Sequence, residues 1–390
     1  MQFNKYAVAL LCALAGSVYA TPPAVITSWT TQTSVFPTGF QTQMGGSVIL
    51  GDSLYILGGN NSTDGDNTRI WKMKINPYAG FIQQTDELTS MPPQQNGVAG
   101  YAYINDQTVT TGSAIYIAGG GWNTTTNNRD HATIVKINPG TGAVDSITTV
   151  AFLPTYDPEL GGAAITAAGY FYAYGGDSQS GVPPLYDTVQ VAQIQPNGDL
   201  GAFSTTLALP DPDGTGATGW WFPFSCTIGN YIIAAPGIHS ALSNANSTNT
   251  VYVASTNPAT GDITTWTLQS TVLPQAVYGA EFVAVEDTIF CIGGRTIGGT
   301  RLNVVYRATF DPNTGTVGAW QTVDAQLPCF TLYHNVNYSP LSKRLYLDNY
   351  RAYYPAGTNL GIQNAVLVSS PLYTPPVPPA ATDKEWSLYE

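Results

Sequence analysis

Proton transfer near neutral pH has few side chains to draw on in this chain, whose 390 residues include three histidines, His131, His239 and His334. The densest grouping of reactive groups is Tyr333-His334, with Tyr278, Glu281 and Arg295 upstream and Arg351 downstream. That set suits acid/base chemistry on a sugar. An arginine or histidine against a uronate carboxylate makes the adjacent C–H acidic, and a tyrosine or histidine then moves the proton. Tyr333, His334, Tyr278, Arg295 and Arg351 fill those roles in an elimination. Mutarotation asks for an acid and a base on opposite sides of the anomeric hydroxyl, which Glu281 with Arg295 or His334 supplies. Hydrolysis needs two facing carboxylates, for which Asp157, Glu159 and Glu281 are the candidates. Trp220 and Trp221, with Phe222 after them, offer aromatic faces on which a pyranose lays its apolar C–H face. His131, His239 and Arg351 join them as expected ligand contacts. No Cys-x-x-Cys pair, His-Glu-x-x-His motif, Asp-rich calcium loop or phosphate-cradling glycine loop occurs, so neither a metal nor a cofactor is expected.

The elements that must position these residues repeat. Segments ending in an apolar residue and proline stop at Pro37, Pro92, Pro154, Pro210, Pro274 and Pro328, at intervals of 55, 62, 56, 64 and 54 residues. Within each interval the order is constant. A first strand-like run such as GGSVIL or AEFVAV leads to a turn. A second run ends in Gly58-Gly59, Gly119-Gly120, Gly175-Gly176 or Gly293-Gly294, with Tyr55, Tyr116, Tyr172 or Phe290 three residues before the pair. A third closes on an Asn/Asp-Pro turn, as at Asn257-Pro258 and Asp311-Pro312, and a fourth returns, with Trp266 or Trp320 in some copies. No apolar period of 3.6 residues persists for three turns, so the chain reads as all-β. Ser28–Pro37 carries the fourth-strand pattern with nothing but a leader before it, while the last three runs, FTLYHNVNYS, KRLYLD and NAVLVSS, lack a fourth. The N-terminal strand is therefore expected to complete the last repeat and remove an exposed sheet edge.

This repeat resembles the kelch family of β-propellers, on the strength of the Gly-Gly strand ends, the aromatic before them, the Asn/Asp-Pro turns and the fourth-strand tryptophan. The resemblance spans residues 25 to 370 and implies six blades closed by the N-terminal strand. It implies also that first strands line a central channel, and that loops from fourth to first strand and from second to third open on one face. All the candidate residues above fall on or just under that face. Blades four and six break the pattern, with Ala235-Pro236 and Asn349-Tyr350 in place of glycines, and these carry His239 and His334. Such departures tend to mark function. The run LYHNVNYS is similar to the Tyr-His strand start of copper radical oxidases, but their second histidine, from a C-terminal β domain, has no counterpart here. Copper chemistry is not expected.

Residues 1–20 read as a cleaved secretory signal ending Val18-Tyr19-Ala20, 21–370 as the propeller, and 371–390 as a proline-rich tail. Cys12 would leave with the signal, so Cys226, Cys291 and Cys329 give an odd count and no disulfide framework. Sequons at Asn60, Asn61, Asn123 and Asn246 lie in polar loops and are expected to be glycosylated. A formal charge of −12 opposes nucleic acid or anionic membrane as partner. The expectation is a secreted, monomeric propeller that acts on a carbohydrate or similar polar small molecule by metal-free acid/base chemistry, as uronate lyase, epimerase or mutarotase. The alternative is a non-catalytic extracellular propeller that binds a glycan or a protein.

Overall fold

The computed structural model describes residues 24–37, 45–61, 65–66, 68–91, 108–119, 130–156, 158, 160–177, 185–214, 219–239, 247–332, 334–353 and 359–373. All regular structure among them is β-strand. Six antiparallel sheets share one build, each running from a first strand through a second and third to an outer fourth, five of them in chain order. In the first sheet these are Gly46–Leu50, Ser53–Leu57, Arg69–Ile75 and Ile82–Ser90. The sixth takes Asn335–Ser339, Arg344–Asp348 and Ala365–Ser369 from the end of the chain and its outer strand, Trp29–Thr33, from the beginning. Trp29 pairs with Ser369 and Thr33 with Ala365.

The first strands stand next to one another in order. Gly46–Leu50 lies beside Thr108–Thr111, which lies beside Gly162–Ile165, then Phe224–Ile228, Glu281–Val285 and Asn335–Ser339, and the last returns to lie beside Gly46–Leu50. Six apolar clusters fill the seams between neighbouring sheets. Leu54, Ile56 and Trp71 of the first sheet pack on Tyr346 and Val366 of the sixth, and Ile289 and Cys291 of the fifth pack on Ile233 and Val253 of the fourth. Each sheet is thus covered on both faces, which is why the second strands are buried along all or nearly all of their length and read as apolar runs such as SLYIL and TIFCI. Each fully buried leucine or isoleucine contributes roughly 1.5–3 kcal/mol.

The recurring tyrosine of the second strand has a definite task. The hydroxyl of Tyr55 donates to Gly142 O of the next sheet's turn at 3.1 Å, Tyr116 to Gly198 O at 2.9 Å, and Tyr172 to Gly261 O at 2.6 Å. Tyr346 of the sixth sheet donates to Gly80 O of the first at 2.8 Å, carrying the same stitch across the seam where the two ends of the chain meet. Phe290 has no hydroxyl to make it.

The glycines after the second strand are required twice over. Gly175 and Gly293 have φ of 66° and 64°, in the left-handed region that side chains avoid. A Cβ on Gly293 would stand 2.6 Å from Thr331 Oγ1 and 2.7 Å from His334 Cε1, so the next sheet's incoming loop needs that space. In the sixth sheet Asn349 takes the same place with φ 52°, a conformation asparagine tolerates, and in the fourth Gly237 turns the chain after Pro236. The segment 371–373 begins the proline-rich tail and is packed down, Leu372 being buried with its N–H donating to Lys343 O at 2.7 Å.

Candidate functional site

Where the loop from fourth to first strand meets the loop from second to third, both run extended and pair. Three ribbons result on one face. Trp220–Trp221 pairs with Ile238–His239 above the fourth sheet, and Val277–Tyr278 with Arg295–Thr296 above the fifth. Phe330–Leu332, Arg351–Tyr353 and Asn359–Ile362 form a third above the sixth. Tyr278 is opposite Arg295 and Leu332 opposite Arg351, which puts the two arginines at matching positions of neighbouring ribbons.

Among the residues singled out by sequence, those at or near the surface of this face are Trp221, Arg295 and Arg351, all half-buried. Tyr278 lies beneath Arg295, whose guanidinium carbon is 5.8 Å from the ring centroid. Burial pushes the Tyr278 phenol up, while Arg295 and, further off, Arg301 oppose the rise. Arg295 Nε donates to Gly299 O at 2.9 Å, holding the side chain back over its own hairpin. Phe222 bridges the two aromatic neighbours, with ring centroids 4.6 Å from Trp221 and 6.3 Å from Tyr278. Phe222 and Tyr278 are themselves buried, in a small core with Leu160 and Ile238, so that Trp221 and Arg295 are the members of this chain of contacts that reach the surface.

His334 and Trp220 are instead interior groups. His334 has no exposed surface, and its Nε2 donates to Ile292 O at 3.1 Å, which leaves Nδ1 buried without a partner. Burial lowers its pKa to about 4 and keeps the ring neutral. It is a wedge between the fifth and sixth sheets, just beneath the face, enclosed where an acid/base residue would need to meet its substrate. Trp220 is equally enclosed, packed on Tyr252 and Trp266 with its Nε1 donating to Pro210 O at 3.0 Å. It holds the fourth ribbon down and offers no face to a sugar. His239, opposite Trp220, is buried, and its Nδ1 stands 3.6 Å from Asp213 Oδ2. Burial lowers its pKa against the opposing pull of Asp213 and Asp211. His131 sits apart, at the start of the second sheet's third strand, 3.3 Å from Asp130.

Glu281 faces a different space. With Ser47, Thr108, Ala163, Cys226 and Asn337 it lines a cavity of about 240 Å3 enclosed by all six first strands. Its lining mixes small polar side chains with apolar ones such as Val48, Ile165 and Phe282. No disulfide joins Cys226, Cys291 and Cys329, and burial raises the Cys329 thiol to about 11. Among the described residues no three His, Cys, Asp or Glu side chains gather to hold a metal ion. Asn60 and Asn61 form a two-residue strand paired with Gly65–Asp66. Tyr333, Asp157, Glu159, Asn123 and Asn246, the expected signal segment 1–20 and residues 374–390 lie outside the described residues.

Two functional candidates escaped the sequence. Arg301 lies with its guanidinium carbon 3.7 Å from the centroid of the Tyr353 ring, on the same face. Asp348, fully buried beside the channel, accepts a hydrogen bond from Ser47 at 3.0 Å. Each lay in a run without a motif, but the arginine spacing Arg295-x5-Arg301 around Gly298-Gly299 was a readable hairpin signal. No protein-family model matches this chain, and no curated protein matches it.

Proposed function

We propose that the six sheets are the blades of an exported, monomeric kelch-type β-propeller, closed by Trp29–Thr33, which recognises a carbohydrate on the face bearing the three ribbons. The observation that carries this reading is the half-buried pair Trp221 and Arg295 on one face, set by the buried rings of Phe222 and Tyr278 beneath them, with ring centroids 4.6 and 6.3 Å apart and the guanidinium 5.8 Å from Tyr278. Aromatic faces beside a planar multi-donor group serve the alternating apolar and hydroxylated surfaces of a sugar. The cyclic order of first strands and the tyrosine stitch across the first and sixth sheets support the propeller. The burial of His334 favours recognition over turnover.

The test is binding of the mature protein to immobilised neutral and acidic glycans. Trp221→Ala is expected to weaken retention by roughly tenfold, the loss of one aromatic contact of about 1.4 kcal/mol. Retention that is absent for every glycan, or indifferent to Trp221, would refute the reading. A second reading is turnover by metal-free acid/base chemistry, and the Tyr278–Arg295 pair favours it, because the arginine eases formation of a phenolate. It requires product release from the retained glycan, with unsaturated or epimerised sugar, that disappears in Tyr278→Phe.

A further inference from the structure

The ribbons above the fifth and sixth sheets form one small sheet. Arg301 bridges Arg295, and Leu302 bridges Thr331, both antiparallel. Antiparallel register then sets Arg301 opposite Leu332, which pairs in turn with Arg351. Tyr278, Arg295, Arg301 and Arg351 therefore stand, through the backbone of Leu332, in one cross-strand row, and directly opposed residues share a face. The adjoining row of Leu302, Thr331 and Ala352 is 8%, 0% and 2% exposed and faces the core. The three arginines are half-buried and so reach the surface, Arg301 over the buried Tyr353 ring and Arg295 over that of the buried Tyr278.

Left to themselves, these charges are a poor arrangement. Arg295 and Arg301 lie directly opposite, about 5 Å apart along the backbone, and like charges so placed repel. The Nε atoms of Arg301 and Arg351 are buried without a partner. No carboxylate among the described residues comes within ion-pair distance of any of the three. Yet acids are plentiful, with 25 Asp and Glu against 13 Lys and Arg in the chain. Half-buried guanidinium groups lacking a counter-charge are costly unless an anion from outside completes them. Arginine, with its planar fork of donors, matches carboxylate, sulfate and phosphate two bonds at a time.

We propose that Arg295, Arg301 and Arg351 form an oxyanion-recognition row that binds the carboxylate or sulfate groups of an acidic saccharide, whose apolar face lies toward Trp221. The saccharide rests on the function proposed above, while the demand for an oxyanion rests on the row itself.

The experiment is calorimetric titration of the mature protein with polygalacturonate and its fully methyl-esterified form, and with dextran sulfate and unmodified dextran. The expected result is that one acidic polymer binds, more weakly as salt is raised, and that its neutral counterpart binds at least about tenfold less well. Whether it is the first or the second separates carboxylate from sulfate. Arg301→Gln and Arg351→Gln are each expected to weaken acidic binding by roughly tenfold to a hundredfold, as loss of a charge-assisted hydrogen bond does, and Arg301→Lys by less. Equal binding of acidic and neutral polymers by the unaltered protein overturns the row, as does acidic binding that survives all three Arg→Gln changes. Neutral saccharides held through Trp221 and indifferent to the arginines would remove the row and keep the carbohydrate reading. Inorganic sulfate raising the melting temperature of the wild type but not of Arg301→Gln, with no saccharide bound, would keep the row and remove the carbohydrate.

Discussion

Replacing Asp348 by asparagine should change how the protein's stability depends on pH. Asp348 ends the second strand of the sixth sheet with no exposed surface; one oxygen accepts from Ser47 at 3.0 Å, and the other, Oδ1, is buried without a partner. Burial carries the carboxyl from the usual 3.8 up to about 7, although the Ser47 hydroxyl and the neighbouring polar side chains of Asn335 and Asn337 pull it back. Between those values the folded chain keeps a proton that the unfolded chain releases. The raised carboxyl therefore favours folding most below the unfolded value, and that contribution is lost as pH rises through the folded one. At about 1.4 kcal/mol for each pH unit the whole effect is ~4 kcal/mol. His334 works in the opposite sense. Its pKa falls from the usual 6.5 to about 4 on burial, so the unfolded chain takes the proton first and stability rises with pH across that window, by ~3 kcal/mol. In the wild type the two slopes oppose each other below about pH 6.5. Asp348→Asn keeps the shape and cannot ionise, so His334 is left unopposed. Urea unfolding followed by tryptophan fluorescence, from about pH 4 to about pH 8, should show the variant gaining ~4 kcal/mol on the wild type, whatever constant offset the lost hydrogen bonds introduce. A difference between variant and wild type that stays level within ~1 kcal/mol over that range would mean the carboxyl ionises normally in the folded protein, and the burial argument would fall.

Three further substitutions test the fold. Gly293→Ala adds a Cβ 2.6 Å from Thr331 Oγ1 at φ 64°, and should lose more than about 2 kcal/mol, whereas Gly112→Ala, at φ 59° with open space around it, should lose only about 1. Equal losses in chemical denaturation would show that backbone strain alone matters there and that the close approach of His334 is relaxed at no cost. Tyr116→Phe removes the stitch to Gly198 O and should cost about 1 kcal/mol, with loss of a phenol that burial holds up to about 12 in ultraviolet titration. A neutral outcome in both readouts would mean that the apolar seam, and not the hydroxyl, joins the second and third sheets.

What sequence could and could not convey follows from which forces are local. Strand order, turns and the returning N-terminal strand were legible because each is written in short-range chemistry: glycines at positive φ, Asn/Asp-Pro turns, and Ser28–Pro37 repeating the pattern of every outer strand. The pairing of Trp29–Thr33 with Ala365–Ser369 needed only that repetition to be noticed. Burial of individual polar groups was not legible, because it depends on where two ribbons pass over a sheet. His334 looks like a surface acid/base residue until Ile292 O is found 3.1 Å from its Nε2 in the seam beneath. Trp220 and Trp221 are adjacent in sequence, yet alternation along a strand sends the first into the core and leaves the second half-exposed, so a reading that treated them as a pair had to be wrong about one. Arg301 was hidden for the opposite reason. Nothing local marks it, and its meaning comes from a cross-strand row assembled out of two sheets, in which Arg295 is its hairpin partner and Arg351 arrives from 50 residues later in the chain. The repeat builds the face; the three arginines, which do not repeat, are what make that face selective for charge.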